Sequence, residues 1–329
     1  RDALKVEWEH GPHASYSSDA YRAELQEAAR KPGKVVRNEG DVERAMAGAA
    51  KKVEAEYYIP HLAQSPLEPP SALVRIAGGQ CEVWSCVQSP QVTRLRLAER
   101  LKLPEDKVRV NVTLLGGGFG RKSKPDFVIE AGLCSQAMDG APVKLVWTRE
   151  DDLRNGFYHT VSVERLEAGL DASGKPVALL HRSAAPTIGS IFAPDPKHEM
   201  PFELGMGLVN TPFAVPNIRA ENPEAQAHVR IGWFRSVSNI PHAFAVQSFV
   251  AELAHAAGAQ VVLDNVFATP LLQRGLELGA DVIVYSGTKH IDGQGRVMGG
   301  AVLGTKEYVD GPVQQLMRHT GPALSAFNA

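Results

Sequence analysis

From Cys81 to Val87 apolar and polar residues alternate as they do along a half-buried strand, and Ser89-Pro90 then carries the signature of a helix start. Val92, Leu95 and Leu101 mark the expected apolar face of that helix. A second alternating run, Val108, Val110, Val112 and Leu114, leads directly into Gly116-Gly117-Gly118-Phe119-Gly120-Arg121. Residues 127–138 read as a helix and 143–147 as a strand. Farther on, 159–170 and 176–181 flank Asp171-Ala172-Ser173-Gly174, whose turn chemistry predicts a hairpin. Strands and helices mix here without strict βαβ alternation, which predicts an α+β domain over 51–258. The first fifty residues are polar and broken by Gly11-Pro12 and Pro32-Gly33, with one short amphipathic stretch near Asp41 to Ala50, and read as a connecting arm.

After Gly258 the pattern changes. Val261 to Leu263, Asp281 to Tyr285 and Val302 to Leu303 are apolar without alternation, and Pro270 to Leu278 reads as a helix between the first two. Strands apolar on both faces suit a sheet buried between helices, so 259–329 is expected to be an α/β part. A composition of 44% hydrophobic and 22% charged residues is that of a globular protein, and a net charge of -2 offers no attraction for nucleic acid. No run approaches the roughly 18–20 apolar residues that cross a bilayer. Cys81, Cys86 and Cys134 are too few for a disulfide framework or a four-thiolate metal site. In a strand Cys81 and Cys86 would face opposite sides, and all three read as packing residues. Beginning at Arg1 and ending at Ala329 within what reads as continuing structure, the chain is expected to be cut at both ends, which leaves its compartment unread.

The glycine run lacks the glycine that a dinucleotide fingerprint needs at position 121 and the Gly-Lys-Ser/Thr ending of a P-loop. It offers close backbone approach, several N–H groups and the flanking Arg121-Lys122 pair, which suit either an anionic or oxo-bearing ligand or a plain tight turn. Its neighbours favour the ligand. Tyr58-Ile59-Pro60-His61 before Leu67-Glu68-Pro69, Trp84 to Gln91, Leu115 to Arg121, and Gly232-Trp233-Phe234-Arg235-Ser236 form an ordered series. Residues 1–258 thereby resemble the molybdopterin-binding subunit of the xanthine dehydrogenase and aldehyde oxidase family, in its isoquinoline 1-oxidoreductase or aldehyde dehydrogenase branch. The resemblance implies an oxidoreductase that hydroxylates aldehydes or N-heterocycles with a molybdenum-molybdopterin cofactor, a small-molecule substrate and a small iron–sulfur subunit as partner. It places Gln88 beside an oxo ligand of molybdenum, the backbone of Gly117, Gly118, Phe119 and Gly120 against the cofactor, and Arg235 near cofactor or substrate. His61 reads as structural. The family's general base, a glutamate from near its carboxy-terminal end, has no counterpart here, because the family pattern is left near residue 258; Glu130 and Glu150 read as solvated or paired, and Glu68 as part of a packing motif.

In the tail, Val261 to Pro270, Tyr285-Ser286-Gly287-Thr288-Lys289-His290 and Met317 to Pro322 resemble the Cys/Met metabolism family of pyridoxal-phosphate enzymes, in its O-succinylhomoserine sulfhydrylase branch. The implied fold is the large domain of an aspartate aminotransferase-like transferase. The resemblance implies Asp264 beside the pyridine nitrogen of pyridoxal 5'-phosphate, Lys289 as the Schiff-base lysine, and Ser286 and Thr288 on the phosphate. A lysine in that role is deprotonated more readily when buried. The family's phosphate-binding loop, ring-stacking tyrosine and carboxy-terminal domain have no counterpart in this chain. The two patterns meet in Leu253 to Ala259, where a helix ends at glycine in both, so the chain is expected to be a chimera of two fragments in separate structural units, each with an incomplete catalytic set. The functional alternatives are a molybdenum hydroxylase fragment, a pyridoxal-phosphate lyase or transferase of sulfur amino acids, and a product without enzymatic function.

Overall fold

The structure is a computed structural model that describes residues 5–191, 196–322 and 324. It divides into two compact units, the first of residues 1–47, 54–168 and 177–246, the second of 48–53, 169–176 and 247–329.

From Ser18 onward, the segment expected to be a connecting arm carries regular structure instead. Helix α1 (Ser18–Ala29) buries Tyr21, Leu25 and Ala29, which recur every fourth residue along one face. Strand β1 (Lys34–Glu39), helix α2 (Val42–Ala47) and strand β2 (Lys51–Ile59) follow. Next come β3 (Ser71–Ala77), β4 (Gln80–Ser85), α3 (Pro90–Leu101), β5 (Val108–Val112), α4 (Asp126–Ala137) and β6 (Val143–Val146). These strands form a four-stranded sheet in the order β5-β4-β3-β6, with β4 parallel to β5 and β3 antiparallel to both β4 and β6. Val74 and Val83 of the sheet, Leu97 and Leu101 of α3, and Phe127, Val128 and Ala131 of α4 share one core.

Two expectations fail in this layer. The buried stripe of α3 is Thr93, Leu97, Ala98 and Leu101, and Val92 and Leu95 lie off it, each 44% exposed. Helical period, not apolarity, selects the stripe, and Thr93 is admitted because its hydroxyl donates to the Ser89 carbonyl (3.0 Å). Ser89 stands at the N-cap without a side-chain capping bond. Likewise β5 ends at Val112, and Leu114 is 96% exposed, because the chain leaves the sheet to enter the glycine run. Cys86 lies past the end of β4, so strand alternation does not reach it: both Cys81 and Cys86 are buried, and burial pushes the Cys81 thiol up to about 11.

Helix α5 (Arg149–Asn155), strands β7 (Ser162–Leu170) and β8 (Pro176–Ala184), helix α6 (Pro201–Leu204), strand β9 (Ile218–Asn222) and helix α7 (Asn239–Ala257) complete the run to the second pattern. A five-stranded sheet orders β1-β9-β8-β7-β2, with β1 antiparallel and β8 parallel to β9. The expected hairpin turn is present. The Asp171 carboxylate accepts from the backbone N–H of Ser173 (2.8 Å) and Lys175 (3.0 Å), which closes the turn locally.

The tail contributes β10 (Val262–Asp264), α8 (Thr269–Leu272), β11 (Val282–Ser286), β12 (Gly300–Leu303), α9 (Lys306–Tyr308) and α10 (Gln314–Thr320). Its sheet runs β10-β11-β12, with β10 parallel and β12 antiparallel to β11. The helix expected over 270–278 stops after Leu272, and Gly275 then packs so closely that a Cβ there would lie 2.6 Å from Leu263 and 2.8 Å from Ile283. Nor is the sheet buried on both faces: β11 buries Val282, Ile283 and Tyr285, whereas β12 is exposed throughout and Leu271, Leu272 and Met298 are 91%, 84% and 88% exposed. The boundary between compact units falls at Val246/Gln247 within the range of α7, ahead of the expected break between Ala254 and Gln260. Gly258, at φ +70°, follows the end of that helix. Among the described residues no helix is long and apolar enough to cross a membrane.

Phe127 is fully buried against the four-stranded sheet. Phe127→Ala is expected to cost the first unit about 3–5 kcal/mol, read as a lower urea midpoint without a changed slope.

Candidate functional site

The glycine run is held from three directions. Glu68 brackets its start: the Glu68 N–H donates to the Gly116 carbonyl (3.0 Å), and the Gly116 N–H donates to the Glu68 carboxylate (2.9 Å). Gln88 holds its end, because Oε1 accepts from the N–H groups of Gly120 (3.0 Å) and Lys122 (3.2 Å) while the Gln88 N–H donates to the Lys122 carbonyl (2.9 Å). The third support is the segment around Arg235, whose N–H donates to the Phe119 carbonyl (2.9 Å). Gln88, residues 117–120 and the backbone of Arg235 therefore lie together.

Glycine is required at two of these positions. A Cβ on Gly118 would overlap the Gln88 carboxamide, and one on Gly120, at φ +101°, would overlap the Trp233 carbonyl. Since two backbone donors meet one end of the Gln88 amide, that end is the oxygen, and the NH2 group is turned away from the loop. Among the described residues, the N–H groups of Gly117, Gly118 and Phe119 donate to no other group. Unused amide donors beside an outward carboxamide and the exposed Arg235 are the donor set an oxo or phosphate oxygen accepts from.

The flanking cations do not join that set. Arg121 is 1% exposed and forms a bidentate pair with Asp126 (2.9 and 2.8 Å), its Nε 3.4 Å from Asp152. Its guanidinium carbon lies 5.0 Å from the Trp147 ring centroid. Lys122 is fully buried and donates to Glu68 (2.7 Å). Burial would raise the Glu68 carboxyl, but hydrogen bonds from Lys122 and Gly116 win and hold it below the usual range. The pair expected to face an anionic ligand instead neutralises carboxylates inside the domain. Glu130 is paired too, accepting from the Trp147 indole (2.8 Å).

A buried polar network in the first unit carries no motif. The Ser183 hydroxyl lies 3.0 Å from Glu164, 3.1 Å from Glu199 and 3.2 Å from His242 Nε2, and His181 Nε2 is 2.7 Å from Glu164. Burial would raise Glu164, but His181, the charge of His242 and Ser162 hold it low. Burial, with the charges of Glu164 and Glu203, pushes Glu199 well up. Only alternation past Ser162 hinted at it, and β7 is buried on both faces, so alternation carried no information. Among the described residues no three or more His, Cys, Asp or Glu side chains are arranged to hold a metal ion.

His159 is also 2% exposed, its ring 5.8 Å from that of Phe234, and neither ring nitrogen has a hydrogen-bond partner of normal geometry. Burial lowers its pKa to about 4, with the Val237 backbone opposing and His61 adding. His61 accepts a structural role: its Nδ1 is 2.8 Å from the His159 carbonyl, and burial lowers it as well.

In the second unit, Asp264 ends β10 and Ser286 ends β11; these strands run parallel, so both residues stand at one edge of the sheet. The Lys289 ammonium lies 5.6 Å from the centroid of Phe267, three residues after Asp264. The Asp264 carboxylate accepts from the Val266 N–H (3.1 Å). Thr288 is committed to the backbone, its hydroxyl accepting from the Gly299 N–H (2.9 Å). Lys289 is exposed.

Residues 27–262 match the family described as the molybdopterin cofactor-binding domain. The chain belongs to that family. Residues 207–329 match the Cys/Met metabolism PLP-dependent enzyme family, so the chain is a chimera, and both families claim 207–262. The expected junction at Leu253 to Ala259 lies inside this shared stretch. O-succinylhomoserine sulfhydrylase of Mycobacterium tuberculosis is 71% identical over 97 residues, 30% of this chain and 24% of that protein. A protein of Gluconacetobacter polyoxogenes named membrane-bound aldehyde dehydrogenase [pyrroloquinoline-quinone] is 33% identical over 264 residues, 77% of this chain and 34% of that protein. The chain thus spans about a quarter of the first relative's length and about a third of the second's. The aldehyde oxidoreductase of Desulfovibrio gigas superposes with a TM-score of 0.58 at 19% identity, over 70% of this chain and 25% of that one, which establishes a molybdopterin-domain fold for the first part.

The three lowered histidines set a pH dependence. A buried histidine held neutral binds fewer protons than its unfolded counterpart, so its contribution is full above about pH 6.5 and is lost as pH falls through the folded value. His61, His159 and His242 all have this sign; Glu199, which keeps its proton when folded, has the opposite one. For His159 the window is from 6.5 to about 4, which amounts to about 3 kcal/mol. The urea midpoint of the first unit is expected to fall across that window, and His159→Phe to flatten the fall; an unchanged slope in the variant would remove the assignment.

Proposed function

We propose that the first 258 residues form a half-site for the molybdenum-molybdopterin cofactor, derived from the large subunit of a hydroxylase of aldehydes or N-heterocycles. The observation that carries this reading is the set of unused N–H groups at Gly117, Gly118 and Phe119 beside the outward NH2 of Gln88. When bound, the cofactor supplies the oxidising centre for hydroxylation. This chain's part is to orient it: Gln88 is fixed by its own oxygen and presents donors, the loop presents amides without reorganisation, and Arg235 brings positive charge. An iron–sulfur subunit as electron acceptor belongs to the same reading. Turnover is not expected of residues 1–329 as they stand, since nothing past the shared stretch matches the family's carboxy-terminal glutamate. The test is molybdenum content by mass spectrometry after expression in a host that makes the cofactor, with an active hydroxylase as reference. Retention that falls about tenfold or more in Gln88→Ala and Gly118→Val supports the assignment; equal metal in all three proteins refutes it.

A second reading has its own observation, the placement of Asp264 and Ser286 at one sheet edge with Lys289 over Phe267. The tail is derived from a sulfhydrylase or lyase of sulfur amino acids, with Asp264, Ser286, Thr288 and Lys289 as the remnant of its pyridoxal-phosphate site. Because the Thr288 hydroxyl is engaged and Lys289 is exposed, retention of the cofactor is expected to be weak. Borohydride reduction of the chain with one equivalent of pyridoxal phosphate, followed by peptide mapping, is expected to give scattered substoichiometric labelling. Stoichiometric labelling of Lys289 that is absent in Lys289→Ala would show that the site is intact.

A further inference from the structure

Away from the glycine run, the first unit carries a cluster of imidazoles and phenols that neither family reading uses. His13 lies in a turn closed by the Ala14 N–H on Gly11 and the Tyr16 N–H on His13. Across from it stands His228, with the two Nδ1 atoms 3.2 Å apart and the rings at 71°. The His228 ring is positioned by its neighbours: Tyr16 stacks on it at 6.0 Å and Tyr21 meets it edge-on at 4.8 Å. Tyr21 is itself buried, its hydroxyl donating to the Gln226 carbonyl.

Two nitrogens bound to one tetrahedral ion, each at about 2.0–2.1 Å, lie about 3.3 Å apart. The His13–His228 separation is already close to that bite. An imidazole–imidazole hydrogen bond also fits the distance, but it uses one proton between two rings and leaves no reason for both residues to line open space. Both line two cavities, of 300 and 260 Å³, each large enough for several waters. Glu24 lines the smaller one.

The geometry points to a transition-metal site at His13 and His228, in which the two Nδ1 atoms bind one divalent ion and water completes its coordination. Imidazole nitrogen suits copper, nickel and zinc; Zn2+ takes the tetrahedral geometry that the pair already approaches, and Cu2+, which binds such nitrogens more tightly in a tetragonal geometry, needs the two atoms to close to about 2.8 Å. The site is independent of the molybdopterin reading, since it lies on other residues and is tested on chain lacking that cofactor.

The experiment is calorimetric titration of the chelator-stripped full chain with Cu2+, together with electron paramagnetic resonance of the one-equivalent complex. One site with two-nitrogen hyperfine structure is expected. His13→Ala and His228→Phe, the second keeping a ring between Tyr16 and Tyr21, are each expected to weaken it about tenfold or more. His10→Ala is expected to leave it unchanged, as a control for surface imidazoles. Wild-type affinity in either of the first two variants, or an equal loss in all three, would overturn the site and leave a hydrogen-bonded histidine pair.

Discussion

Arg121 and Lys122 are buried next to each other at the end of the glycine run, and neither could remain there alone. Removing an ammonium or guanidinium from water costs several kcal/mol even after relaxation, and a buried cation that loses its partner destabilises by about 3–5 kcal/mol. Here the partners come from distant stretches of chain: Glu68 for Lys122, and Asp126 and Asp152 for Arg121. Satisfying the two charges therefore brings the segment before β3, the start of α4 and helix α5 to the same place. The loop's backbone is the part left over, and the Gly117, Gly118 and Phe119 N–H groups are without a partner among the described residues.

This arrangement separates two properties that look alike in the sequence. A glycine run followed by Arg-Lys suggests a positively charged cradle, yet both cations are buried and paired with carboxylates, which leaves the loop its backbone dipoles. An amide cradle orients an oxygen-bearing ligand without a large net field, whereas two free cations would attract any anion in solution. Selectivity for a shaped cofactor is better served by the first.

In the tail the three-stranded sheet is only partly buried. Val282, Ile283 and Tyr285 are buried, but β12 and the side chains of Leu271, Leu272 and Met298 face solvent. The all-apolar strands are those of a buried sheet, and the local pairing of β10 with β11 survives because parallel register needs only the strands themselves. Helix length does not survive in the same way: the segment after Leu272 gives way to a turn where Gly275 packs on Leu263 and Ile283. Within 207–262, where both families match, α7 runs from Asn239 to Ala257, so the change of template is not marked by a break in secondary structure.

Much was legible without coordinates. The hairpin around Asp171, strand β4, helices α3 and α4 and the tail strands follow from local period and turn chemistry, and the ordered motifs carry both families. Local rules also explain the errors: Val92 and Leu95 are apolar but off the stripe that α3 buries, and Leu114 continues an alternation that the strand has already left. Partnership could not be read. That Gln88 spends its oxygen on Gly120 and Lys122, that Arg121 and Lys122 turn inward, and that Glu164, Ser183, Glu199 and His242 share one buried network all depend on residues far apart in the chain. The sequence determined which elements form and which families they come from, because period and motif are local. The tertiary structure decided which polar groups are consumed and which remain to meet a ligand, because a buried charge or amide takes its partner from whatever the fold brings within about 3 Å.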